Sequence, residues 1–311
     1  MDRVLLLGGG GYLGSVLVGH LLQRGYQVTV LDNLMYGQTS LLHHCKNPEF
    51  RFVCGDVRDE TMMRGLVSKH DAVLPLAAIV GQPACDRDPV RAQAVNLDSI
   101  ILLARLLSPT QQVVFPCTNS GYGTQSGEQY CTEETPLEPV SFYGITKVKA
   151  EREVLRLPNA ISLRLATVFG VSPRMRLDLL VNDFVYRAAT DGYLVVYEKD
   201  FKRNYVHIDD VSDCFCFCLE HFEELKGEAY NVGLDEANLS KEELALKVKE
   251  HVPATHVHFA DVGKDPDRRN YIVSNEKIRR KGFVASRSLD EGIEQLLKAY
   301  RMLPNGPFTN A

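Results

Sequence analysis

The chain has 311 residues, of which 45% are hydrophobic and 24% are charged, and its formal net charge is −5. This content is sufficient for one large or two modest domains with a buried core. An acidic chain offers no broad basic surface for nucleic acid and no polybasic membrane patch, and no apolar stretch reaches the ~20 residues that span a bilayer. We therefore expect neither a nucleic-acid partner nor a membrane partner.

The eight cysteines are scattered along the chain without a regular spacing. In a chain of this length, that pattern favours reduced thiols in the cytosol over a disulfide framework. Cys214, Cys216 and Cys218 alternate in an apolar segment. On a helix the middle thiol would point away from the other two, so we expect packing and not a metal site. The first residues also lack the basic leader of a signal peptide, and we expect a cytoplasmic protein.

The first 32 residues predict a strand, a glycine turn, a helix and a second strand. Residues 4–7 form a short unbroken apolar run, which is typical of a strand covered on both faces. Residues 12–24 have the apolar periodicity of a helix that Gly25 is placed to end, and residues 27–31 are apolar and β-branched again. This order and length predict one βαβ unit.

The same alternation continues to about residue 170. Further strands are predicted at 50–57, 71–78, 111–119 and 161–170, and helices at 59–70 and 88–107. Residues 171–200 are mixed, a strand resumes at 204–211, and an amphipathic helix occupies 288–303. This alternation predicts an α/β fold in which a Rossmann-type doubly wound parallel sheet carries a smaller C-terminal α/β lobe.

Four consecutive glycines followed by Gly14 form the first predicted turn. Gly8, Gly11 and Gly14 fit the template G-x-x-G-x-x-G, and Gly9, Gly11 and Gly14 fit G-x-G-x-x-G, so the spacing leaves the subtype open. Glycine lets a backbone approach a ligand closely, and the free N–H groups at a helix N-terminus favour an anion such as a pyrophosphate. The turn therefore predicts a dinucleotide site.

An acidic residue ends the second strand, as such a site requires. Asp32 lies 18 residues beyond Gly14, close to the ~20 expected for a carboxylate that binds the adenosine ribose. A carboxylate here repels a 2′-phosphate, and Asn33 follows it in place of an arginine, so NAD is favoured over NADP. The alternative is that Asp32 is only a turn residue. We assign residues 1–170 and 203–231 to the dinucleotide-binding domain, and residues 171–202 and 232–311 to a substrate-binding lobe.

A pair of side chains further along suggests proton transfer. Tyr143 and Lys147 are four residues apart, so on a helix they would share one face. An ammonium beside a phenol favours the phenolate and would lower the phenol pKa, which would let Tyr143 exchange a proton with a substrate hydroxyl. Thr118 ends a predicted strand at the carboxyl edge of the sheet, where its hydroxyl could bond the same substrate oxygen.

With these motifs the chain resembles the extended short-chain dehydrogenase/reductases, in particular their NAD-dependent nucleotide-sugar epimerase and dehydratase branch. The resemblance covers nearly the whole chain. It rests on these segments, in order: "GGGGYLG", "LDN…YG", "CGDVRD", "LPLAA", "VN" at 95–96, "CTNSGYG", "YGITK", "RLATVFG", "RNYVHIDDV", "YNVG" and "DPDRRNY".

The resemblance implies a role for each matching residue. The cofactor contacts would be Gly8, Gly11, Tyr12, Leu13 and Gly14 at the pyrophosphate, Asp32 and Asn33 at the ribose, Asp56 and Val57 at the adenine, Leu76, Ala77 and Ala78 along the channel, and Tyr143 and Lys147 at the catalytic end. The catalytic residues would be Thr118, Tyr143 and Lys147. The substrate contacts would be Asn96, Thr118, Asn119 and Thr167, with Arg203 and either Arg268 or Arg269 on the diphosphate.

Four positions depart from the pattern of that branch. Its dehydratases carry Asp-Glu after the catalytic threonine, whereas this chain has Asn119 and Ser120, neither with a useful pKa, so 4,6-dehydration is disfavoured. Pro75 replaces a common histidine beside the cofactor and supplies no N–H donor. Thr167 stands where many relatives have asparagine. The segment 172–183, "SPRMRLDLLVND", is where the nucleotide and sugar would be recognised.

Three functions remain open at this point. The first is a nucleotide-sugar epimerase that keeps NAD bound and passes through a transient keto-sugar, with Tyr143 as acid and base. The second is an NAD(P)-dependent ketoreductase or dehydrogenase on a related sugar, which would turn over its cofactor. The third is a non-catalytic dinucleotide sensor or scaffold, ranked low because Thr118, Tyr143 and Lys147 are all present. The family resemblance also implies a homodimer, formed through the helix near 90–107 and the helix that carries Tyr143.

Overall fold

The computed structural model describes residues 2–125, 129–260 and 269–303. The strands are β1 (Arg3–Leu7), β2 (Gln27–Asp32), β3 (Phe50–Cys54), β4 (Ala72–Pro75), β5 (Gln112–Thr118), β6 (Tyr130–Cys131), β7 (Ala160–Leu165), β8 (Thr167–Phe169), β9 (Tyr193–Tyr197), β10 (Lys202–His207), β11 (Ala229–Val232), β12 (Asn238–Ser240), β13 (His256–Ala260) and β14 (Ile272–Val273).

The helices lie between these strands and on both faces of the main sheet. They are α1 (Tyr12–Gln23), α2 (Glu60–Val67), α3 (Gln82–Arg87), α4 (Pro89–Gln93), α5 (Ser99–Leu106), α6 (Phe142–Val154), α7 (Leu180–Thr190), α8 (Ile208–Glu220), α9 (Phe222–Leu225), α10 (Lys241–His251), α11 (Glu276–Arg280) and α12 (Leu289–Tyr300). Short 3-10 turns span Leu42–His44 and Asn119–Tyr122. Within the described residues, every helix is too short or too polar to cross a membrane.

Seven strands form the central sheet in the order β11-β7-β5-β4-β1-β2-β3, and every neighbouring pair is parallel. The chain therefore winds outward in both directions from β1, and the predicted doubly wound Rossmann-type sheet is confirmed. The middle strands are buried along their length because helices cover both faces. This arrangement brings the carboxyl ends of β1, β2, β4 and β5 to one edge.

The glycine turn between β1 and α1 is held by close backbone packing. Gly8 has φ +83°, and a Cβ on it would lie 2.6 Å from the backbone of Ala77. A Cβ on Gly14 would lie 2.6 Å from the backbone of Gly9. Larger residues would therefore force the turn away from the loop after β4 and from the start of α1. Glycine at these two positions lets the first strand, the turn and the helix pack as one compact unit.

Three predicted elements differ from the structure. The strand expected at 161–170 is divided into β7 and β8, which lie in different sheets. The helix expected at 88–107 is divided into α4 and α5 by a π-helical turn, Ala94–Asp98, which turns the buried Asn96 toward the loop after β4. The strand expected at 204–211 ends at His207, because the following Ile208 starts α8 with the His207 ring accepting from the Asp209 N–H at 3.2 Å. The pattern "HIDDV" thus encodes a helix start and not a longer strand.

The smaller lobe has its own core and its own short sheets. Strands β8, β10 and β12 form a three-stranded sheet, and β9 pairs with β13. Its apolar cluster includes side chains from α7, α10 and α12. Since β8 and β10 pair with each other outside the central sheet, the chain leaves the main sheet before residue 170 and re-enters it at β11. The assigned domain limits stay predictions.

Candidate active site

A cavity of about 550 Å³ opens at the carboxyl edge of the central sheet. Its wall combines residues that follow β1, β2, β4 and β5 with residues of the smaller lobe. In doubly wound folds this edge is where ligands bind, and the volume is within the range of small-molecule sites. Both predicted halves of the site, for cofactor and for substrate, therefore face one space.

The glycine turn forms one end of the cavity. Gly8, Gly11, Tyr12, Leu13 and Gly14 all line it. Helix α1 begins without a side-chain cap, because its N-cap residue is Gly11. A helix N-terminus without a side-chain cap can offer its N–H groups to an anion. The turn therefore has the shape and polarity predicted for a pyrophosphate site.

The Asp32 carboxylate lies beside the turn with its oxygens largely engaged. It accepts hydrogen bonds from the backbone N–H groups of Gly10 at 2.9 Å and Leu34 at 2.8 Å, and from Gln38 Nε2 at 3.3 Å. Burial raises its pKa, and the backbone hydrogen bonds oppose that rise. These bonds hold the carboxylate at the cavity wall, where the predicted ribose contact requires it.

The predicted adenine contacts lie next along the same edge. Asn33 Nδ2 donates to Asp56 Oδ2 at 3.3 Å, and Arg58 forms an ion pair with the same carboxylate at 2.8 Å. The Arg58 hydrogen bond holds the pKa of Asp56 well below its usual range. Asp56 is thus an anion that can accept a hydrogen bond. Val57, Leu76, Ala77 and Ala78 also line the cavity, as predicted.

The three predicted catalytic side chains line the same cavity. Thr118 ends β5, while Tyr143 and Lys147 lie one turn apart on α6, and all three line the cavity. The start of α6 is capped by Ser141, whose hydroxyl accepts from the Gly144 N–H at 3.1 Å. The Thr118 hydroxyl accepts from the Ser120 N–H at 3.1 Å and donates to the Ser120 hydroxyl at 2.9 Å.

Lys147 carries its charge into an apolar environment. Its side chain is buried, and its Nζ lies 4.1 Å from the centre of the Phe115 ring. Within the described part of the chain, no carboxylate forms an ion pair with it. Burial lowers the pKa of Lys147 to about 8. A cation–π contact with Phe115 stabilises the charged form of Lys147, and the side chain also lines the cavity.

The predicted electrostatic effect on Tyr143 is not found in the protein alone. Burial raises the pKa of Tyr143, and the positive charges of Arg176 and Arg269 only partly oppose that rise. The prediction that Lys147 brings the phenol pKa below its ordinary value is therefore wrong for the chain without a ligand. Desolvation of the phenol outweighs the nearby positive charges of the two arginines.

A model of the NAD dependent epimerase/dehydratase family matches residues 4–233. The chain belongs to this family. The matched range contains the glycine turn, Asp32 and all three catalytic side chains, so the resemblance to the epimerase/dehydratase branch is confirmed. NAD is the cofactor of this family.

The relatives of this epimerase/dehydratase chain span more than one reaction. The low-salt glycan biosynthesis protein Agl12 of Haloferax volcanii is 29% identical, over 96% of this chain and 98% of that protein. A UDP-glucose 4-epimerase of Lactobacillus helveticus is 28% identical, over 89% and 90%. The crystal structure of the dTDP-glucose 4,6-dehydratase DesIV of Streptomyces venezuelae, with NAD and TYD bound, is 26% identical with a TM-score of 0.85, over 96% and 97%.

The cavity fits the cofactor of the family. A Cβ on Gly11 would meet, apart from its chain neighbours and within the described residues, only the Gly8 carbonyl oxygen at 3.4 Å. That open space at the N-terminus of α1 would accommodate a pyrophosphate. Asp32, the predicted ribose contact, lines the same cavity as the apolar residues Leu76, Ala77 and Ala78 and as Tyr143. The residues present can therefore hold NAD along the whole cavity.

The predicted substrate residues divide into two groups. Thr167, Arg203 and Arg269 line the cavity, and Arg269 donates a hydrogen bond to the Ser120 hydroxyl. Arg268 lies outside the described residues. Arg269 therefore connects the C-terminal lobe to Thr118 through the Ser120 hydroxyl.

Asn96 and Asn119 lie behind the wall and not in it. The Asn96 amide accepts from the Ile79 N–H at 2.8 Å and donates to the Ile79 carbonyl at 3.0 Å, which fixes the loop after β4. Asn119 is 1% exposed and its amide has no hydrogen-bond partner within the described residues. Neither side chain lines the cavity in this structure, so their substrate contacts stay predictions.

The structure also reveals two site residues that the sequence left undecoded. Arg174 and Arg176, from the segment "SPRMR", are buried and line the cavity. The Arg174 guanidinium lies 4.6 Å from the centre of the Tyr36 ring, and Arg176 forms two bonds to Asp178, at 3.1 and 2.5 Å. The sequence signal for a site here was the pair of arginines two residues apart in "SPRMR". Arginines are rarely buried without a partner or ligand.

Proposed function

We propose that this chain is an epimerase of a nucleotide-diphosphate sugar that keeps NAD bound through the cycle. The observation that carries the proposal is the presence of Thr118, Tyr143 and Lys147 in the lining of the same cavity as the glycine turn. A sensor or scaffold would not need a buried lysine at this position, where charge is costly.

The side chains divide the proton chemistry between them. When bound, NAD supplies the hydride acceptor and donor. Tyr143 takes the proton from a sugar hydroxyl as that carbon is oxidised, and returns a proton after the keto-sugar has presented its other face. Thr118 can turn its hydroxyl from Ser120 to the same sugar oxygen. The Lys147 ammonium favours the phenolate when it is charged.

The residues after Thr118 favour epimerisation over dehydration. Elimination of water needs an acid and a base beside the sugar. Asn119 is turned away and has no proton to exchange near neutral pH, and Ser120 is bonded to Thr118 and Arg269. Ser120 therefore positions the threonine and does not act as an acid. This supports the reaction named for the Lactobacillus helveticus relative over that named for DesIV.

The arginines of the smaller lobe favour a substrate with phosphate groups. Arg203 lies on β10 and Arg269 before β14, and both line the cavity. Two guanidinium groups that converge on one space suit a diphosphate.

The test is to incubate the purified protein with a panel of nucleotide sugars and to read the products by NMR. We expect a product that differs from its substrate in one stereocentre, with no lasting change in the absorbance band of reduced nicotinamide. Tyr143→Phe should abolish it while the protein still binds NAD. Net consumption or formation of reduced cofactor would instead show a ketoreductase or dehydrogenase, and loss of water would show a dehydratase. No conversion across the panel would contradict the proposal.

A further inference from the structure

The segment 170–176, which we call the arginine strap, is fastened to the start of α1. The Ser172 hydroxyl donates to the Tyr12 carbonyl oxygen at 2.7 Å and lies 3.0 Å from the Ser15 hydroxyl. The Tyr12 hydroxyl in turn donates to the Gly170 carbonyl oxygen at 2.7 Å. The segment that follows β8 is thus bound to the first turn of α1.

Arg174 extends from this anchor to the ribose side of the cofactor site. Its backbone N–H donates to Ser172 Oγ at 3.2 Å, and its guanidinium stacks over Tyr36. Tyr36 is linked to the ribose acid, since its N–H donates to Gln38 Oε1 at 3.1 Å and Gln38 Nε2 donates to Asp32 at 3.3 Å. Arg174 therefore bridges the two elements between which a dinucleotide pyrophosphate would lie.

We propose that Arg174 closes over the cleft and binds the cofactor pyrophosphate. The glycine turn offers N–H groups but has no cationic side chain between residues 8 and 14. A pyrophosphate carries two negative charges, and a guanidinium matches phosphate oxygens with two parallel donors. Arg174 is 9% exposed and lines the same cavity as the turn. Arg174 Nη1 also donates to the Met175 carbonyl oxygen at 2.7 Å, and the neighbouring Arg176 forms an ion pair with Asp178.

The strap also couples cofactor binding to the sugar end of the cavity. Asn182 is fully buried, and its amide donates to the Tyr12 hydroxyl at 3.2 Å and to the Arg176 carbonyl oxygen at 2.9 Å. The Oδ1 atom of Asn182 accepts a hydrogen bond from the Gly170 N–H at 3.1 Å. One amide thus connects the glycine turn, the strap and α7.

The test uses binding of ADP-ribose and of adenosine to the purified, cofactor-free protein, measured by calorimetry. ADP-ribose contains the pyrophosphate and adenosine does not. We expect Arg174→Met to weaken ADP-ribose by roughly 10- to 100-fold and to leave adenosine unchanged. The affinity of Arg174→Lys for ADP-ribose should lie between those of the wild type and Arg174→Met, because lysine keeps the positive charge but loses the two parallel N–H donors. Arg280→Met removes an exposed arginine on α11 and should change neither affinity.

Other outcomes would overturn the proposal. Equal ADP-ribose affinities for the wild type and Arg174→Met would do so. So would an equal loss for ADP-ribose and adenosine, or a loss confined to uridine or thymidine diphosphate, which would assign the guanidinium to the substrate. Should Arg174→Met fail to fold, Tyr36→Ala is expected to weaken ADP-ribose by about 2- to 5-fold, while Tyr36→Phe keeps the wild-type affinity. These measurements need no turnover, so they stand whatever reaction the sugar panel shows.

Discussion

The cofactor side and the substrate side of the cavity are built in different ways. The cofactor side is a glycine turn, one carboxylate and short apolar residues, most of which follow consecutive strands of a regular sheet. The substrate side carries arginines, with Arg203 on β10 and with Arg176 and Arg269 between elements, and side-chain hydrogen bonds such as those of Asn182 hold part of it in place. A site made from regular backbone tolerates few changes at few positions. A site made from long side chains can be altered one residue at a time.

Gly8→Ala should have the largest effect, because it alters the cofactor side, where the backbone itself forms the site. The new Cβ would be 2.6 Å from the Ala77 backbone at φ +83°, so both the turn and the loop after β4 would have to move. We expect a loss of about 3 kcal/mol in the free energy of unfolding and a loss of NAD binding of at least about 10-fold. Urea unfolding and calorimetry would measure the two effects.

The matched control for that substitution is Gly65→Ala in α2. A Cβ there meets nothing within 4 Å among the described residues. We expect a gain of about 0.5 kcal/mol from helix propensity, with unchanged NAD binding. If Gly8→Ala behaved like Gly65→Ala, the claim that the turn is fixed by backbone contact would be wrong.

The same contrast explains what the sequence could predict. The βαβ unit was predictable because the apolar run at 4–7, the glycines and Asp32 act locally, through backbone conformation and spacing. Tyr143 and Lys147 were predictable because four residues on a helix set their relation. The burial of Arg174 was not, since it depends on Ser172 reaching Tyr12, a contact across 160 residues of sequence. Likewise, only the π-helical turn at Ala94–Asp98 shows that Asn96 serves the Ile79 backbone.

Lys147→Met tests a residue whose position was predictable and whose environment was not. At neutral pH the folded protein holds a charge in an apolar site, so removing it should raise the free energy of unfolding of the cofactor-free protein by about 2 kcal/mol, while activity is lost. Burial lowers the pKa of Lys147 from 10.5 to about 8. Between these values the unfolded chain binds a proton that the folded chain has released, so wild-type stability rises with pH.

The advantage of Lys147→Met should therefore be constant below pH 8 and shrink as the pH approaches 10.5. Urea unfolding of both proteins at several pH values would measure it, and titrating groups that the two share cancel in the difference. Lys149→Met, an exposed lysine on the same helix, is the control and should show no such dependence. A Lys147→Met protein that is less stable than the wild type at neutral pH would contradict the proposed cost of the buried charge.

The smallest effect is expected at Asn119, and it sharpens where the substrate side ends. Its amide is buried without a hydrogen-bond partner in the described part of the chain, so the folded state gains nothing from the amide polarity. In Asn119→Ala the lost packing and the removed desolvation penalty should nearly cancel, which leaves stability within about 1 kcal/mol of the wild type. Because the side chain points away from the cavity, KM for the sugar identified by the panel should stay the same. A several-fold rise in KM, with unchanged stability, would place Asn119 in the substrate wall after all and move the boundary between the two sides to the end of β5.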